Sequence, residues 1–303
     1  MQAAHFTGSI DRPRDPEKRV MPPRLSPTVR QQRLGIELRK MREHVGVTPK
    51  TLAATIGTDL PKISQMENGK SGISAERLRV WARTCGRIEG PYLDALLAMT
   101  QDRRKYWWDG YRGRLPSGII DIAEMEHHAE SLTILHTSFI PGLLQTPAYA
   151  SAVFARLRPA LPGPEAEART AFRIQRQRLF TERPKPYTAF IHESALRMQF
   201  GGPVVLREQL RSLLRDSERP GVEIRTIPFS VDTFPGSGES LYLACGPVPE
   251  LDTVQIDLSQ GPKFVHTDVD LQTYREIKTE TEAIALDPVE SRDFIRAILE
   301  NLS

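Results

Sequence analysis

Residues 48–69, TPKTLAATIGTDLPKISQMENG, leave a chain little freedom in how to fold. They hold two short proline-led helical segments with one glycine turn between them. Thr48-Pro49 reads as an N-cap followed by proline in the first turn, where the missing N–H has no intrahelical acceptor in any case. Leu52, Ala53 and Ile56 make a stripe for burial, and Gly57 ends the segment. Asp59 caps the second segment, Ile63 and Met66 supply its apolar stripe, and Asn68-Gly69 closes it. Its other side carries Lys62, Ser64 and Gln65, a polar face that core packing does not require.

The flanking residues complete a helical unit. RQQRLGIELRKMREHVG sets Leu34, Leu38 and Met41 at helical spacing with basic residues opposite. Ser74 caps a fourth helix bearing Leu78, Trp81 and Ala82, and a fifth from about Pro91 offers Leu93, Leu96 and Leu97. Five short helices over residues 29–100 predict a compact all-α domain. Two of them joined by a tight glycine turn have helix-turn-helix geometry, in which the N-terminal residues of the second helix reach base edges in the major groove.

Charge agrees with a polyanionic partner. The net charge is +3, yet residues 1–100 hold 17 Lys and Arg against 10 Asp and Glu. Residues 1–28, rich in Pro and Arg, read as a disordered basic arm. Two distant cysteines match no metal or redox spacing, and no apolar run is long enough for a membrane span or a secretory signal. The expectation is a soluble, cytoplasmic protein without membrane contact.

TPKTLAATIGTDLPKISQMENGKSGISAERLRVWARTCG resembles the Cro/phage-repressor (XRE) family of helix-turn-helix domains. Leu52, Ala53, Gly57, Ile63, Ser64, Glu67, Asn68 and Gly69 stand where that pattern has them. The resemblance implies base-reading positions at Leu60, Pro61, Lys62 and Gln65. It implies phosphate contacts from Arg39, Arg42, Lys50, Ser64 and Lys70. Lysine can donate to guanine, glutamine can pair with adenine, and apolar side chains pack on thymine methyls. The family usually has polar residues where Leu60 and Pro61 stand, which shifts the expected readout towards methyl contacts and DNA shape.

After residue 100 the pattern changes. Residues 101–118 interleave basic and aromatic side chains and read as a linker. Strand-like stretches at 131–140, 186–192, 222–229, 240–246 and 253–258 then alternate with helical ones at about 119–130, 147–157, 165–181, 203–217, 268–285 and 288–301. The fold class expected for the chain is α+β, a five-helix domain followed by a larger mixed domain over 119–303. FIPGLLQTPAYA, AFRIQRQRLF, HESALRMQFGG, LREQLRSLL and VEIRTIPFS follow in order, as in a large actinobacterial group of regulators, the WhiJ-like or antitoxin-like helix-turn-helix proteins. That resemblance implies a transcription factor whose C-terminal domain dimerises, receives a small-molecule signal or binds a small partner protein encoded nearby. Double-stranded DNA and a second copy of the chain are the expected partners.

Two clusters in this half have alternative readings. Tyr106, Trp107, Trp108 and Tyr111 either stack on nucleic-acid bases or bury their rings at a domain contact, and the second is expected; an exposed Trp pair would instead mark a partner or ligand site. Arg169, Arg173 and Arg176 recur at helical spacing and form either a solvated face or a contact for an acidic partner. EMEHHAE puts Glu124 and His128 four apart with no third metal ligand in view, and no phosphate-binding loop, dinucleotide fingerprint or nucleophile elbow occurs. Neither an enzyme nor a cofactor is expected.

Overall fold

The computed structural model describes residues 26–102, 104–236, 238–258 and 260–302. All but the last three residues of the basic arm expected over 1–28 lie outside the described residues.

Five helices form the first domain: α1 (Val29–His44), α2 (Pro49–Thr55), α3 (Leu60–Glu67), α4 (Ala75–Thr84) and α5 (Pro91–Gln101). Their starts follow from local chemistry. The side chains of Thr28, Thr48, Asp59 and Ser74 each accept a backbone N–H of the first turn, and Thr28 with Gln31 completes a capping box. Gly57 and Gly69 take positive φ at the ends of α2 and α3, which a side chain would resist. Leu38, Met41, Leu52, Ile63, Met66, Leu78, Trp81 and Leu96 fill one core. Buried Trp81 donates its indole N–H to the Leu38 carbonyl at 3.1 Å, so its one polar group is satisfied.

The second domain is a six-stranded mixed sheet covered on both faces. It runs α6 (Ser117–His128), β1 (Ser131–His136), α7 (Pro147–Phe154), α8 (Gly163–Arg176), α9 (Leu179–Glu182), β2 (Tyr187–His192), α10 (Glu193–Arg197), α11 (Pro203–Asp216), β3 (Val222–Ile227), β4 (Leu241–Cys245), β5 (Thr253–Leu258), β6 (Gly261–Val265), α12 (Asp268–Ile284) and α13 (Pro288–Glu300). Strand order is β3-β2-β1-β4-β5-β6. The β1–β2–β3 half is parallel and the other pairings are antiparallel. Alternation along the strands divides the core. Ile134, Ala189, Ile191, Ile224 and Tyr242 pack with α7, α11 and α13, whereas Leu135, Phe190, Leu243 and Val254 pack with Leu271, Tyr274 and Ile277 of α12. The mixed architecture matches the expectation. β6 and α10 escaped sequence reading, the first because Gly261-Pro262 reads as a turn and the second because it is five residues long.

The aromatic stretch folds into the second domain. Trp108, 1% exposed, sits with Leu115, Ile120, Ala123 and Phe172, and Tyr106, Trp107 and Tyr111 pack around it. Their rings therefore bury against α6 and α8 of the second domain, where a contact between domains had been expected. Tyr106 stacks on Trp108 with centroids 4.4 Å apart.

One approach in the first domain is unusually close. A Cβ added to Gly35 of α1 would lie 2.6 Å from the Glu67 carbonyl oxygen and 2.7 Å from that of Met66, so α1 and the end of α3 meet backbone to backbone. Gly35→Ala is expected to push the helices apart and destabilise the chain by about 1–3 kcal/mol. Urea unfolding checks this, and a midpoint equal to that of the unsubstituted chain would contradict the close contact.

Candidate nucleic-acid interface

Helix α3 has eight residues, too few to hold its direction unaided. Ile63 and Met66 bury its inner face, and Asp59 fixes its start by accepting the Lys62 N–H at 2.8 Å. Proline at position 61 lies in the first turn, where its missing N–H breaks no helical bond. The far end is tied to α1 through Glu67. Arg42 donates to both carboxylate oxygens, Nε to Oε1 at 2.6 Å and Nη2 to Oε2 at 3.0 Å. Arg39 adds a bond from Nε at 3.2 Å. Asn68 closes the helix with its amide donating to the Ser64 carbonyl at 2.7 Å.

The side chains left outward are those a duplex groove would meet. Leu60 is 52% exposed, Pro61, Ser64 and Gln65 are exposed, and Lys62 is half-buried. Lys50, Lys70 and Arg39 are also exposed around this face. Arg42 is different. It is 8% exposed and committed to Glu67, so its expected phosphate contact is corrected to a bracing role inside the domain. Arginine on a basic helix face gives no sign in sequence that its carboxylate partner lies 25 residues downstream.

The second domain docks on a different side of α1. Arg33, buried, donates to the Asp252 carbonyl at 2.8 Å and to the Glu250 carbonyl, and it pairs with Glu37 at 2.8 Å. Tyr92 of α5 donates to Glu37 at 2.7 Å. Lys40 meets Asp268 at 2.7 Å, and Leu251 packs on the first domain's core. These contacts leave the outward face of α3 uncovered.

The arginine candidates in the second domain lie inside it. Arg176 is buried and bidentate to Glu126, which also accepts the Tyr242 hydroxyl at 2.9 Å. Both readings of Arg176, a solvated face or a contact for an acidic partner, are therefore corrected to an internal ion pair. Arg173, half-buried, donates to Gln145 at 2.8 Å. Burial, reinforced by the neighbouring Arg176, lowers its pKa to about 9. It lies near the carboxyl ends of β1 and β5, where His136 and Asp257 stand 3.9 Å apart. Trp107 and Tyr111 are partly buried in the aromatic cluster, where Tyr111 donates to Gln175 at 2.9 Å. Among the described residues no group of three His, Cys, Asp or Glu could hold a metal ion, and no helix is long and apolar enough to cross a membrane.

A short helix held against α1 with its polar face outward defines a helix-turn-helix DNA-binding domain, and a family profile described as a helix-turn-helix domain matches residues 33–96. A second profile, described as a domain of unknown function (DUF5753), matches residues 119–297. It spans more than half of the sequence, and the chain belongs to that family. Comparison with curated proteins and with solved structures returns no match.

The two kinds of cation around α3 predict different phenotypes. Arg42→Ala leaves the buried Glu67 carboxylate with only the longer Arg39 bond and is expected to cost about 3 kcal/mol of stability, read by urea unfolding. Lys50→Ala and Lys70→Ala are expected to leave stability unchanged and each to reduce the salt slope of DNA binding by about 1. A destabilised Lys variant, or a fully stable Arg42→Ala, would reverse the assignment.

Proposed function

We propose that the chain is a sequence-specific transcriptional regulator that reads DNA with the outward face of α3. The uncovered set of Leu60, Pro61, Lys62 and Gln65 at the start of a braced helix carries this reading. Gln65 has the donor and acceptor to pair with adenine, and Lys62 can donate to guanine. Leu60 and Pro61 offer apolar surface to thymine methyls. Ser64, Arg39, Lys50 and Lys70 surround that set as phosphate contacts, which fix register without reading sequence.

A single two-turn helix touches few base pairs, so the protein acts as a homodimer on two half-sites of opposite orientation. The second domain supplies the contact between copies and receives the signal, as in the WhiJ-like and antitoxin-like actinobacterial regulators that the sequence resembles. A small protein encoded nearby is a partner of the kind those regulators have. The role is regulatory and cytoplasmic, without a reaction of its own.

Selection from random duplexes at fixed salt tests the reading. The unsubstituted chain is expected to enrich a motif with two-fold symmetry. Gln65→Ala and Lys62→Ala are each expected to lose about 1–3 kcal/mol on that motif and to relax preference at particular positions. Enrichment of the same motif with undiminished affinity by both variants would remove α3 as the reader.

A further inference from the structure

A cavity of about 500 Å³ lies between the two domains, where α1 and α5 face α6 and the end of β4. Its size suits a small organic ligand. Both domains build it. Arg30 and Met99 come from the first, and Asp121, Glu124, Met125 and Leu251 from the second. The two methionines and Leu251 give apolar wall. The carboxyls of Asp121 and Glu124, one turn apart on α6, give it a charged floor.

These carboxyls are poorly provided for. Among the described residues the Glu124 Oε2 atom is buried without a hydrogen-bond partner. Asp121 receives the Val29 N–H at a long 3.4 Å. Burial raises the pKa of both, that of Asp121 to about 6 with Glu124 adding to the rise, while Thr28, Arg30 and Arg112 offset part of the rise at Glu124. Arg30 lies close enough to be attracted by Glu124, yet burial still lowers its pKa. A contact needed only to join two domains would pair such charges fully, as Arg33 is paired a turn further along α1. Leaving buried carboxyls short of partners costs stability unless something else supplies the donor.

We propose that this cavity binds an amine-bearing small molecule with an apolar body, its ammonium set between Asp121 and Glu124 and its body against Met99, Met125 and Leu251. An acceptor on the ligand can take the Arg30 guanidinium. Because the walls belong to different domains, occupancy favours one docking of α1 on the second domain over others and thereby alters DNA affinity. The DNA half of this inference rests on the helix-turn-helix reading above, and the binding half does not.

The test uses the full chain and isothermal titration calorimetry without DNA. Probes are phenethylamine, tryptamine and isoamylamine, each beside its neutral alcohol counterpart. At least one amine is expected to bind with Kd below about 1 mM, and its alcohol about tenfold more weakly or worse. The double substitution Asp121→Asn with Glu124→Gln is expected to weaken the amine about tenfold or more. Ala98→Phe, which sets a ring at the open edge of the cavity on α5, is expected to abolish binding and serves if the double variant does not fold. No binding by any amine, or binding that survives in every folded variant, overturns the site. With the binding amine saturating, affinity for a selected duplex is expected to change about fivefold or more. An unchanged affinity overturns the coupling, while the titration without DNA still decides the site.

Discussion

The pair between Arg42 and Glu67 sets the direction of α3, and with it everything the first domain presents to a partner. Both side chains are buried, both carboxylate oxygens are used, and the guanidinium comes from a helix twice as long as the one it holds. Apolar packing through Ile63 and Met66 fixes α3 in place but would tolerate some rotation about its axis. A forked donor on a planar carboxylate tolerates much less. Gly35 belongs to the same arrangement, since only a residue without a side chain lets α1 come near enough for Arg42 to reach across. Outward exposure of Gln65 and Leu60 is the consequence of that inward attachment.

Caps, turns and apolar stripes were legible in the sequence because each is local. Thr48-Pro49, Asp59 and Ser74 begin helices where their chemistry says they should, and Thr146-Pro147 does so in the second domain. The strand character of β1 and β2 was equally local, a short run rich in apolar and β-branched residues. What failed was anything decided by a distant partner. Arg42 and Arg176 look like surface cations along their helices, and only the folded chain brings Glu67 and Glu126 to them. Trp108 looks like a linker residue until Phe172, 64 positions later, covers it. The cavity between the domains left no trace in sequence, because Arg30, Asp121 and Glu124 belong to no shared motif.

The second domain is more than a weight attached to a reader. Its parallel half is closed at the β3 edge by α13, where Ser291 accepts the Thr226 N–H at 2.8 Å and Leu286 donates to the Thr226 carbonyl at 2.9 Å. Its antiparallel half carries the turn that grips Arg33. The contact with the first domain thus combines polar bonds to main-chain carbonyls, the Lys40–Asp268 pair and the apolar side chain of Leu251. That contact is made on α1, the same helix that holds α3.

Backbone amide shifts recorded by NMR on a two-fold duplex taken from selection would test the central claim most directly. The account predicts that binding perturbs residues 59–66 most strongly, with smaller changes around Lys50 and Lys70 where phosphates approach. Perturbation concentrated in the second domain, with residues 59–66 unmoved by bound DNA, would contradict it.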